Sequence, residues 1–210
     1  MPLILIAGTG TEVGKTFVAS AAARQLRHQS IAVVARKPVQ SFASDDHETD
    51  ADVLAVATGE QPHTVCPSHR WLPVPMAPPM AAHALGLPPF SIDDLATELE
   101  ASMPAESAVV LVESAGGVRS PLADDGDTCD LASRLPPQLV VLVADADLGA
   151  INSVRLSHAA LDAHDVLVYL NRFDDAVDIH RRNREWLTTR EGLEIVTDPE
   201  ALAARLAAIY

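Results

Sequence analysis

The stretch Gly8-Thr9-Gly10-Thr11-Glu12-Val13-Gly14-Lys15-Thr16 limits what this chain can fold into more than any other. An apolar run, residues 3–7, leads into it, and an alanine-rich segment without Gly or Pro, residues 17–26, follows. A strand that passes through a glycine-rich turn into a helix aims backbone N–H groups and the positive end of the helix dipole at an anion. Lys15 then reaches the outer phosphates of a nucleotide, and the Thr16 hydroxyl is placed to ligate Mg²⁺. The spacing departs from the usual phosphate-loop pattern, because Thr9 stands five positions before Gly14 where a glycine is normal. The flanking strand and helix carry the reading, since they are the context such a loop requires.

Downstream, short apolar runs alternate with helical patterns. Strands are expected at residues 3–7, 31–36, 108–112, 139–144, 166–170 and 193–196. Helices are expected at 17–26, 50–58, near 79–85, 92–102, 128–135, 150–164, 177–189 and from Asp198-Pro199 to Tyr210. Ser91 with Asp94 three residues later forms a capping box, and Gly59 and Asp198-Pro199 are stop and start signals. The proline-rich segment 61–89 is the least regular and is expected to cover one edge of the domain. Strands apolar throughout, with helices between them, predict a mainly parallel sheet covered on both faces, in a single α/β domain spanning residues 1–210. Ligands of such sheets bind beyond the carboxyl ends of the strands. The phosphate loop, Lys37, Glu113, Asp145, Asp147 and Asn171 all follow expected strands, so they converge on one rim.

Composition narrows the partners. With 48% apolar residues but only 4% aromatic, Ala, Val and Leu must build the core. A net charge of −14 argues against a nucleic-acid partner, while one lysine, a magnesium ion and backbone amides suffice for a nucleotide. No apolar run approaches the ~18 residues of a membrane span, and the first residues read as a strand rather than a leader. Cys66 and Cys129 lie far apart with no C-x-x-C pair. A cytoplasmic protein with free thiols and no membrane partner is therefore expected.

Within the rim, Lys37 can neutralise charge developing on a transferring γ-phosphate. Glu113, an acid closing a buried strand, is placed to hold Mg²⁺ or its water. Residues 44–52 (SDDHETDAD) are acidic, and most read as a solvated loop. One can complete the metal site with Thr16 and Glu113; Asp50, opening its helix, is the choice, with Asp52 as the alternative. His63 and His69 are read as surface or packing residues, not zinc ligands. The basic run His180 to Arg184 reads as a solvated helix face, with Trp186 packing that helix down.

In this order and spacing, the pieces resemble dethiobiotin synthetase. That family is built around GT-x-T-x-VGKT, KPV-x-[ST], Asp-Ala-x-x-Leu, VEGAGG, LG-x-[IL]-N and a later Asn. Here they are residues 8–16, 37–41, 50–54, 112–117, 148–152 and Asn171, with Pro75-Met-Ala-Pro78 on the substrate side. The resemblance implies a P-loop NTPase-like three-layer sandwich and an ATP- and Mg²⁺-dependent cyclo-ligase. Such an enzyme makes dethiobiotin from 7,8-diaminopelargonate and CO₂, through a carbamate and a carbamic-phosphoric anhydride. It implies nucleotide binding by Thr11, Glu12, Val13, Gly14, Lys15, Thr16, Glu113, Gly116 and Asn171, the last reading adenine. Lys15 and Lys37 become catalytic, and Thr16, Asp50 and Glu113 the metal ligands. Ser41 contacts substrate, and Leu148 and Asn152 do so across the interface of a homodimer.

The chain departs from that pattern at Phe42 and Ser114, where the family has glycine, and at Arg172, where many relatives have Asp. If the Ser114 position requires φ > 0, this serine is strained. Arg172 bears on nucleobase preference. Two alternatives follow: a related P-loop ligase acting on another small acid, and a ParA/MinD-like regulatory ATPase. The second usually carries an extra early lysine, absent from Thr9-Gly10.

Overall fold

The computed structural model describes residues 1–210. In chain order the elements are β1 (Leu3–Gly8), α1 (Lys15–His28), β2 (Val33–Arg36), β3 (Gln40–Ser41), α2 (Asp50–Thr58), α3 (Pro62–Val65), β4 (Trp71–Leu72), α4 (Pro78–Ala84) and α5 (Ile92–Ala101). They continue as β5 (Val109–Glu113), α6 (Thr128–Arg134), β6 (Leu139–Asp145), α7 (Ala150–Ala160), β7 (Val166–Asn171), α8 (Asp178–Thr189), β8 (Ile195–Val196) and α9 (Pro199–Ala207). Six strands form one parallel sheet in the order β2-β5-β1-β6-β7-β8, as their apolar runs predict.

β1 sits at the centre, where the order reverses. Ile4 pairs with Leu111 of β5 on one side and Leu139 of β6 on the other. Alternation along β1 sends Ile4 and Ile6 to one face and Leu5 and Ala7 to the other. The first pair joins a core of 25 buried residues with Ala22 of α1, Leu54 of α2 and Leu206 of α9. The second joins one of 29 with Leu95 of α5, Leu131 of α6 and Val154 of α7. Cores of similar size on both faces leave neither side of the sheet wet. Each fully buried Leu or Ile contributes roughly 1.5–3 kcal/mol. No helix is long and apolar enough to cross a membrane.

Several expected bounds move. α7 stops at Ala160 rather than 164, because the chain tightens into i→i+3 bonds, Leu161 N to His158 O and His164 N to Leu161 O. α9 ends at Ala207, where the same tightening occurs through Ile209 and Tyr210. β2 starts at Val33, since Ile31 N instead closes α1 by bonding Leu26 O. Within the proline-rich segment, β4 pairs with β3 as a separate two-stranded parallel sheet, Gln40 with Trp71 and Ser41 with Leu72. α8 is not a solvated basic face throughout: His180, Asn183 and Leu187 recur at helical spacing and are buried, while Arg181 and Arg182 pair with Asp178 outside. Trp186 does not pack that helix down; it is 47% exposed, and Leu187 takes the inward position. His63 packs at a tilt against Trp71 and His69 meets Glu98, both packing or surface roles. Cys66 and Cys129 are free thiols.

Candidate active site

The turn between β1 and α1 is held open by its backbone. Gly14 has φ +92°, and a Cβ there would lie 2.0 Å from Asn171 Nδ2, so only glycine fits. Glu12 also adopts the left-handed region, at φ +61°. Asn171 closes β7, and its Nδ2 donates to Val13 O at 3.0 Å. Lys15, the first residue of α1, folds back and donates to Gly10 O at 3.1 Å and to Gly116 O at 2.8 Å.

Three elements then bring polar side chains beneath this turn. Lys37 follows β2, its N–H bonded to Val65 O, and its ammonium is buried. Nζ lies 2.6 Å from Glu113 Oε1 and 2.7 Å from Asp50 Oδ2. Glu113 ends β5 and is buried. Asp50 opens α2, whose start is fixed by a reciprocal box in which Thr49 accepts from Asp52 N and Asp52 accepts from Thr49 N. That box commits Asp52 to the cap, leaving Asp50 to face the site. The Thr16 hydroxyl is 2.8 Å from Asp50 Oδ1 and 2.9 Å from Glu113 Oε1.

The electrostatics follow from burial. Desolvation pushes Lys15 down to about 8, helped by the Lys37 charge. For Lys37 desolvation works in the same direction but is outweighed by Glu113 and Asp50, which hold it protonated above the ordinary lysine range. Lys37 in turn holds the Asp50 carboxyl below its usual value. Burial pushes the Glu113 carboxyl up, against the pull of Lys37. Glu113 Oε2 is buried and has no hydrogen-bond partner. An orphaned carboxylate oxygen beside a second carboxylate and a hydroxyl is an all-oxygen donor set, which suits a hard divalent cation.

These groups floor a cleft of about 960 Å³. Thr11, Glu12, Gly14, Lys15, Thr16, Lys37, Ser41, Asp50, Glu113 and Gly116 all line it. Val13 and Asn171 sit behind the loop instead. On the far wall the Ser41 hydroxyl donates to Met76 O at 2.6 Å, tying β3 to the segment before α4. Phe42 lines the same wall, its ring edge-on to Trp71 at 5.9 Å. The condition for strain at Ser114 is not met: it lies outside the left-handed region, which falls to Gly116 at φ +69°. Its N–H bonds Ile6 O, so the serine fits as a continuation of the β1–β5 pairing.

Leu148, 89% exposed, and Asn152 lie at the start of α7, outside this cleft. Arg172 is the contributor that sequence patterning undervalued. Its guanidinium reaches Glu12 O and the Asp145 carboxylate. The signals for it were its place directly after Asn171 and its departure from the Asp of many relatives, which pointed to the nucleobase and not to the loop.

An AAA domain family model matches residues 3–196. An ATP-dependent dethiobiotin synthetase of Corynebacterium efficiens is 38% identical over 157 residues, covering 75% of this chain and 68% of that protein. Another, of Mycobacteroides abscessus, is 36% identical over 212 residues, covering 98% of this chain and 90% of that one. Among solved structures, a plasmid partition protein from Borrelia burgdorferi matches with a TM-score of 0.57 at 12% identity, covering 99% of this chain and 96% of that one. Chloroplast FtsY from Physcomitrella patens matches at 0.54 and 14%, covering 98% and 65%. At such identities the structural likeness speaks to the fold alone, a P-loop NTPase-like α/β sandwich.

Proposed function

The chain belongs to the ATP-dependent dethiobiotin synthetase family, and we propose that it closes the ureido ring of dethiobiotin in biotin biosynthesis. Its substrates in this reading are 7,8-diaminopelargonate, CO₂ and ATP. One amine of the diamine takes up CO₂ and gives up a proton to become a carbamate, and a carbamate oxygen accepts the γ-phosphoryl group of ATP to form a carbamic-phosphoric anhydride, with ADP leaving. The second amine attacks the carbamoyl carbon, the C–O bond to phosphate breaks, and phosphate leaves as the ring closes.

The observation that carries the proposal is Lys37, a buried ammonium between Asp50 and Glu113 at the floor of a cleft edged by the phosphate loop. A cation fixed there before substrate arrives stabilises carbamate and phosphoryl charge with little reorganisation. Lys15 is placed for the outer phosphates once they displace its contacts with Gly10 and Gly116. Thr16, Asp50 and Glu113 are the residues that would hold Mg²⁺, supported by the unpartnered Glu113 oxygen. The ion, when bound, neutralises phosphate charge. Asn171 reads adenine with the side-chain capacity left after Val13. Ser41 meets the substrate.

Leu148 and Asn152 act on a second copy's cleft, in a homodimer with its sites at the interface; their exposure away from their own cleft supports this. Two cores on opposite faces of one sheet support one domain over residues 1–210. The free thiols support a reducing cytoplasm.

Purified protein given ATP, Mg²⁺, bicarbonate and diaminopelargonate should release phosphate only when the diamine is present. ATP binding without diamine-dependent release would remove the ligase reading. Lys37→Ala should abolish turnover and leave nucleotide affinity within a few-fold; surviving turnover would remove the role of Lys37.

A further inference from the structure

We propose that Arg172 and Asp145 form a clamp that keeps the phosphate loop in its nucleotide-receiving conformation, a positioning role that rests on the ATP-binding reading of this cleft. Glu12 lies in the left-handed region, uncommon for a residue with a side chain, so something must hold it there. Arg172 Nη2 donates to Glu12 O at 3.1 Å, and Asn171 Nδ2 donates to Val13 O at 3.0 Å. Asn171, the last residue of β7, and Arg172 after it thus hold two successive carbonyls of the loop, and Arg172 also lines the cleft. In a planar trans peptide the C=O and the following N–H point in opposite directions. Drawing the carbonyls of Glu12 and Val13 toward the end of β7 therefore aims the N–H groups of Val13 and Gly14 away from it.

The holder is itself held. Arg172 adopts φ +56°, and its Nη1 pairs with Asp145 Oδ2. Asp145 ends β6 directly opposite Asn171 in the β6–β7 register, so the sheet supplies both halves of the device. A surface ion pair alone stabilises little. This one differs because a third group, the Glu12 carbonyl, completes it. Charge gives the pair a second consequence. An unpaired Asp145 would leave a negative charge next to a loop that receives anions, and Arg172 cancels it. Other Asp145 oxygen, Oδ1, is buried without a partner, so no other donor shares the carboxylate.

The test is ATP affinity by titration calorimetry with Mg²⁺, for wild type, Arg172→Ala, Asp145→Ala and the double variant, alongside steady-state kinetics. Arg172→Ala should weaken ATP about tenfold. It should raise KM for ATP while kcat at saturating ATP stays within about twofold, the pattern of lost ground-state binding. The double variant should bind ATP more tightly than Arg172→Ala, since the bare carboxylate is gone. Unchanged affinity in a cooperatively melting Arg172→Ala protein, or additive losses in the double variant, would overturn the clamp. If Arg172→Ala does not fold, Arg172→Gln keeps a donor for Glu12 but no charge for Asp145; its affinity should fall a few-fold below wild type, and affinity equal to wild type would overturn the proposal. Wild-type protein that binds no ATP overturns the functional reading itself, a different result from wild-type binding matched by the variants.

Discussion

Lys15 and Lys37 are both buried, and their surroundings drive them in opposite directions. Lys37 has two carboxylates within 2.7 Å and stays charged, whereas Lys15 meets only carbonyl oxygens and falls to about 8. The sign of the consequence follows. Below pH 8 Lys15 is protonated in both folded and unfolded chains, and the folded state bears the full desolvation cost. Between about 8 and the ordinary 10.5 the folded protein releases this proton while the unfolded chain keeps it, so stability rises with pH. Urea melts with chelator and without nucleotide should show that rise, and Lys15→Met should flatten it. An identical profile in the variant would mean that Lys15 is solvated rather than buried. Both lysines could be picked out from the sequence by the loop and the strand end they occupy. Their divergent ionisation could not, because it depends on which carboxylates the fold brings near.

Among the elements, α2 does the most for the site relative to its nine residues. The Thr49–Asp52 box fixes where the helix begins, and Asp50 is the first residue inside that start. Thr49→Ala removes the side-chain half of the box and should cost about 1 kcal/mol of stability. Chemical denaturation measures that cost. Because Asp50 loses its fixed helix start, Mg²⁺-dependent ATP affinity should fall with it; a variant that is destabilised but binds Mg·ATP as before would show that the cap does not position Asp50. Element by element, what could be read in advance scaled with length. β5, β6 and β7, with five to seven residues each, announce themselves by unbroken apolar runs. β3 and β4, of two residues each, have no period to detect, yet their pairing places Ser41 on the far wall of the cleft. The ends of α7 and α9 were overrun for a related reason, since a helix that tightens into a final turn keeps its apolar spacing.

For the whole molecule, the order of the six-stranded sheet places the ends of β1, β2, β5 and β7 on one rim, β3 brings Ser41 to it from the small sheet, and the start of α7 stands apart. Leu148, 89% exposed, has nothing to pack against within its own chain. If a second copy supplies that packing, Leu148→Asp should give a monomer in analytical ultracentrifugation and lose ligase turnover while still binding ATP. A monomeric wild type with full turnover would remove the interface from the proposal.

The phosphate loop, the parallel sheet and the strand-end residues are legible along the chain, because each rests on short-range periodicity or on a fixed spacing of glycine, lysine and hydroxyl. Which of those residues meet depends on the packed fold. Lys37 and Glu113 are 76 residues apart and Glu12 and Arg172 are 160 apart, and no local pattern records such pairs. They meet because β1 lies between β5 and β6, and β7 flanks β6, an order settled by how the two faces of the sheet bury their side chains rather than by any one segment.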